Sequence, residues 1–195
     1  NGHALEIRFL IGEEPVVLNW ALTQIRGGKV LQTGGDPVKD TPPDATTLEA
    51  QRLDRATQTL LRMLGNENTA GDTALIQQAL ASGADIEGRS VWERSQAPPM
   101  RRQYTPLMLA AGNGTSQSIS LLLERGAQLN AVSQNGSTAI FYAVSAGKAE
   151  NVKHLMTRGA TVNVRREDGH TPLSIAKQQG YDEIAAFLSK AGATR

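Results

Sequence analysis

Gly169-His170-Thr171-Pro172-Leu173-Ser174-Ile175-Ala176 decides the fold, because Thr171-Pro172-Leu173 is preceded in phase by Thr138-Ala139-Ile140 and by Thr105-Pro106-Leu107. The interval is 33 residues both times. Gly114, Gly147 and Gly180 keep the same interval, as do Gly126-Ala127, Gly159-Ala160 and Gly192-Ala193. Series that agree on one period mark a repeat array, in which each unit buries its apolar face only against its neighbours.

Within a period the residues read as two short antiparallel helices. Thr105, Thr138 and Thr171 are placed to cap a helix N-terminus, and Pro106 and Pro172 then occupy the first helical position, where a missing N–H costs nothing. Gly114, Gly147 and Gly180 are expected to end a three-turn helix A in the left-handed conformation, and Gly126, Gly159 and Gly192 to end helix B the same way. Ala110, Ala143 and Ala176 let helix A lie close to its neighbours, and Leu122, Leu155 and Leu188 form the buried stripe of helix B. Upstream, an amphipathic stretch from Thr47 to Leu64, a loop from Gly65 to Ala70 and a helix from Thr73 to Ser82 make a degenerate first unit that ends Gly83-Ala84-Asp85-Ile86. From Gly83 to Gly126 the interval is 43 rather than 33 residues, so the finger from Gly88 to Gln103 carries an insertion.

These residues resemble the ankyrin repeat, whose pattern runs G-x-T-P-L-H-x-A, then G, then a leucine-rich helix closing on G-A-D-x-N. The closings here are Gly126-Ala127-Gln128-Leu129-Asn130 and Gly159-Ala160-Thr161-Val162-Asn163. The resemblance implies a mainly α fold: an α-solenoid of about four repeats over 44–195, with units 44–87, 88–132, 133–165 and 166–195. The family's histidine is replaced by Met108, Phe141 and Ser174, which predicts that coupling between units rests more on packing. In helix B one position runs Leu80, Leu123, Met156, then Ser189 beside Lys190, the polarity expected of a terminal cap that ends the array at the fourth unit.

The resemblance also implies a concave recognition surface made of finger tips and the open side of helix A. By phase it falls on Tyr104 and Asn113, on Gln134, Asn135, Ser137 and Ser145, and on Glu167, Asp168, His170 and Gln178. The insertion adds Arg89, Trp92, Glu93, Arg94, Met100, Arg101 and Arg102, and Trp and Arg are the types that most often dominate interfaces. Trp92 reads equally well as a plug folded back on the array.

Residues 1–43 read as a small β-rich extension and linker. Leu5, Ile7, Phe9 and Ile11 alternate as one face of a strand, and Val16–Ile25 and Lys29–Thr33 flank a hairpin turn at Gly27-Gly28. A piece of this size cannot bury a core alone. It is expected to dock on the first unit or to pair its edge with another chain, giving a monomer or a weak oligomer. Asn1 in place of Met points to a removed tag or export signal, and periplasmic and cytoplasmic readings both stay open.

Composition excludes several functions. The chain of 195 residues has no cysteine, which removes disulfides, thiol nucleophiles and thiolate zinc. Its net charge of +1 and 4% aromatic content fit neither a nucleic-acid binder nor a stacking platform, although 44–87 carries −4 and 88–103 carries +3. No apolar run reaches membrane-spanning length. Repeat phase scatters His3, His154 and His170, so no metal or other cofactor is expected; His154 reads as a packing histidine, while His170 stays open between contact and no role. Gly112-Asn113-Gly114 is a turn rather than a phosphate loop, and Asn113-Gly114-Thr115 and Asn135-Gly136-Ser137 are turns before they are glycosylation sites. The expectation is a non-enzymatic protein-binding module, refined to an exported accessory or immunity-type factor, with the alternative of a targeting module whose catalytic part lies elsewhere. A pocket within 1–43 lacks a recognisable acid–base pair.

Overall fold

In the computed structural model of the protein the described residues are 25–26, 29–30, 45–89 and 104–194. The chain divides into two compact units, Asn1–Pro42 and Pro43–Arg195. In the first, β1 (Ile25–Arg26) pairs antiparallel with β2 (Lys29–Val30), Ile25 opposite Val30. The strand expected over 4–11, the rest of the extension and its docking lie outside the described residues.

The second unit contains, among the described residues, α1 (Ala45–Leu64), α2 (Thr73–Ala81), α3 (Pro106–Asn113), α4 (Ser116–Glu124), α5 (Ala139–Ser145), α6 (Ala149–Thr157), α7 (Pro172–Gln178) and α8 (Asp182–Lys190). They form two rows. One runs α1, α3, α5, α7 and the other α2, α4, α6, α8, each helix touching its neighbours along the row and its partner across it. Helices of 7–9 residues are too short to persist alone, so burial between rows must stabilise them. Ala110, Ala143 and Ala176 are fully buried where the first row packs, and Leu122, Leu155 and Leu188 are fully buried in the second. At the position that runs Leu80, Leu123, Met156, Ser189, the three apolar residues are half-buried and Ser189 is exposed.

Caps follow the sequence with one departure. The hydroxyl of Thr105 accepts from the N–H of Met108, and Thr171 forms a reciprocal box with Ser174. Thr138 heads α5 but makes no such bond, and its buried hydroxyl lacks a hydrogen-bond partner. Helix A is also shorter than the sequence spacing predicts. It spans 7 or 8 residues, about two turns, because only eight residues lie between the Thr that heads each helix A and Gly114, Gly147 or Gly180.

Gly114 corrects a second expectation. Its φ is −87°, not left-handed, and glycine is needed there because a Cβ would lie 2.7 Å from the Ala70 carbonyl oxygen and 2.8 Å from that of Ala110. Gly159 is the converse case, with φ +89° and open space around it.

Coupling between units is not left to packing. Glu87, Asn130 and Asn163 occupy one phase, and their side-chain oxygens accept from the backbone N–H of Gln128, Thr161 and Thr194 in the following unit at 2.8, 2.9 and 2.7 Å. Ser118 and Asn151 share another. Ser118 Oγ donates to the Ala70 carbonyl at 2.6 Å, and Asn151 Nδ2 donates to the carbonyls of Ala111 and Gly114 at 3.0 Å each. Side-chain amides, the Ser118 hydroxyl and one carboxylate thus tie unit to unit where the family's histidine is absent.

Candidate functional site

The fingers that precede α5 and α7 are closed by the same bonds. In the first, Ser133 N donates to Ser137 O at 2.8 Å and Gly136, at φ +79°, donates to Ser133 O. In the second, Arg166 N donates to His170 O at 2.9 Å and Gly169, at φ +82°, donates to Arg166 O. Asn135 Oδ1 accepts from Ser137 N, and Asp168 Oδ1 accepts from His170 N, so each finger locks its own tip. The two interlock through Glu167 N, which donates to Asn135 O at 3.2 Å.

This geometry divides the residues picked out by phase. Gln134, Ser145, Glu167, Asp168, His170 and Gln178 are exposed. Asp168 also pairs with Arg166, O to N 2.6 Å. Ser137 is 2% exposed, which corrects its placement on the open surface: it forms the neck of the finger. Asn113 is half-buried and its amide donates to the Leu64 carbonyl at 3.0 Å, a bond back to α1. Asn135 is half-buried in its own turn. Tyr104 is half-buried with its ring edge-on to Tyr142, centroids 5.1 Å apart at 89°. Arg89 is exposed and donates to the Val132 carbonyl at 3.0 Å, which ties the foot of the long finger to the next one. Trp92, Glu93, Arg94, Met100, Arg101 and Arg102 lie outside the described residues.

Tyr142 and Arg166 join this surface without having been singled out in the sequence. Tyr142 shares its phase with Leu109 and Ile175, both 8% exposed, and so reads as core. Arg166 shares its phase with buried Ser133, yet its guanidinium lies 6.0 Å from the Phe141 ring centroid, a distance at which a cation is still attracted to the ring face. Neither position carries a local signal of exposure.

The sequence profile for ankyrin repeats in three copies matches residues 63–166 and again 107–194. The chain belongs to the ankyrin-repeat family. No curated protein matches it at a significant level. Ankyrin repeats form helical arrays commonly used in protein binding, and the paired helices and interlocked fingers here are that arrangement.

Elsewhere on the ankyrin array, a groove of about 450 Å³ between α2 and α4 is lined by Thr73, Gln77, Ser116, Gln117, Ser120, Leu121 and Glu124. Among the described residues no cluster of three or more His, Cys, Asp or Glu could hold a metal ion, and no helix is long and apolar enough to cross a membrane. His154 is half-buried with Nε2 2.8 Å from Ser120 Oγ, and burial first, then the nearby Arg158 charge, hold its pKa below the usual histidine value.

Proposed function

We propose that this ankyrin array is a non-enzymatic module that holds a protein partner against the row of finger tips and the open side of α5 and α7. The observation that carries the reading is the interlock of the fingers. Gln134 and Glu167 stand one period apart, as do Ser145 and Gln178, on backbone fixed by hydrogen bonds within and between units. A row whose backbone is already fixed has little backbone freedom to lose on docking, which is how a preorganised surface gains affinity. Tyr142, Tyr104 and Arg166 supply the aromatic and guanidinium character typical of contact centres.

On this reading the module occupies 44–195, 1–43 is an appended extension, and the 88–103 finger, anchored through Arg89, adds a second contact with Trp92, Arg94, Arg101 and Arg102. The partner is a protein, and the array takes no nucleic acid and does not enter a membrane. Site-specific photo-crosslinkers at Gln134 and Gln178, compared with Lys153 and Glu183 on the helix-B row, test it. Adducts of one mass from the finger row, with none from the other row, are expected. Adducts from Lys153 and Glu183 alone would place the partner on the opposite face and refute the reading.

A further inference from the structure

On the helix-B row, α4 and α6 meet through a polar joint that the recognition surface does not use. Ser120 Oγ lies 2.8 Å from His154 Nε2, and Arg158 Nη2 donates to the same hydroxyl at 3.2 Å. One period later the corresponding contact is Lys153 over Phe187, 5.8 Å from the ring centroid, so the hydroxyl flanked by two basic groups is particular to this joint. The hydroxyl accepts from the guanidinium and has its own proton and a second lone pair left for Nε2, so it can donate to a neutral His154 that carries its proton on Nδ1, or accept from Nε2–H when the ring is protonated. The depressed pKa favours the neutral ring. Burial first, and the Arg158 charge second, thus disfavour a positive charge on His154.

An anion placed at the hydroxyl reverses that balance. It would accept the O–H of Ser120 and an N–H of Arg158, and it would favour a proton on His154 Nε2 as a third donor. Arg158 is also the C-cap of α6, and a helix C-terminus contributes about half a negative charge. Two full cations outweigh it. The helices packed on α6 carry Glu124 and the C-cap Arg125 on α4, Tyr142 on α5, and Asp182, Glu183 and Lys190 on α8, while α3 carries no titratable side chain; α6 itself adds Glu150 and Lys153. Glu124, one turn along from Ser120, lines the groove shared with α2.

We propose that Ser120, His154 and Arg158 form a site for a small tetrahedral oxyanion, taken up together with a proton.

The test is a histidine titration of the full chain by NMR, in sodium sulfate and in sodium chloride at equal ionic strength, so that general screening is matched. Sulfate is the probe because it stays a dianion across the titration. The His154 midpoint is expected to rise by about half a pH unit or more in sulfate, roughly a threefold preference for the protonated form. His170, exposed on the finger, serves as the internal control and is expected not to move. Arg158→Gln, at an exposed position, removes the rise, and Ser120→Ala reduces it. An equal His154 midpoint in the two salts would overturn the proposal, as would an equal rise at His170 or a rise that survives Arg158→Gln.

Discussion

Asn151 is where coupling between units is most open to measurement. Its side chain is 4% exposed and Nδ2 spends both hydrogens on the preceding unit, at the carbonyls of Ala111 and Gly114. Truncation to Ala removes two hydrogen bonds, each worth about 1 kcal/mol net, and leaves acceptors facing a space without a donor, a further cost of about 1–2 kcal/mol. The expected loss is roughly 2–4 kcal/mol, a large part of the roughly 5–15 kcal/mol that holds a domain folded. Asn151→Asp keeps the shape but turns acceptors toward acceptors, and a buried carboxylate there should be at least as destabilising at neutral pH. It should recover relative to Asn151→Ala as pH falls, because the protonated acid can donate once. Urea unfolding followed by far-ultraviolet circular dichroism measures all three proteins, with exposed Ser145→Ala as a control expected within about 0.5 kcal/mol of the parent. A loss below about 0.5 kcal/mol for Asn151→Ala would refute the claim that this amide couples the units.

Leu155→Ala, at a fully buried position of α6, should cost about 2–5 kcal/mol in the same titration. Gly159 and Gly114 should separate conformation from space: Gly159→Val is expected to be much worse than Gly159→Asn because only the backbone angle objects. Gly114→Ala should destabilise despite an ordinary φ, since its methyl meets two carbonyl oxygens; equal melting temperatures for Gly114→Ala and the parent would contradict that geometry. His154 contributes a pH dependence of stability: its folded pKa lies below the unfolded value, so the unfolded chain binds more protons in the interval between them. Stability from this group is complete above the unfolded value, near 6.5, and is lost as pH falls toward the folded value; His154→Gln should flatten that part of the melting-temperature profile.

Period, caps and apolar stripes were legible because a repeat writes the same local physics several times over. Thr105 and Thr171 cap helices, and Leu122, Leu155 and Leu188 reach the core, since capping and burial at those positions depend on spacing that the sequence states directly. Family membership followed from that spacing. The site was legible only as a phase. Sequence could place Ser137 and Gln134 on one finger, but the one is a buried neck and the other an open tip, because a hairpin bond between Ser133 and Ser137 decides which way the chain turns. Tyr142 reads as core by its neighbours in phase and is only half-buried in the array, and Asn113 reads as surface but is bound to α1. The ties that replace the missing histidines were hidden for the same reason. Asn151 meets Ala111 and Gly114, and Glu87 meets Gln128, only once helices from successive units are stacked, and a contact across units depends on the spacing of stacked segments that no single-residue preference encodes.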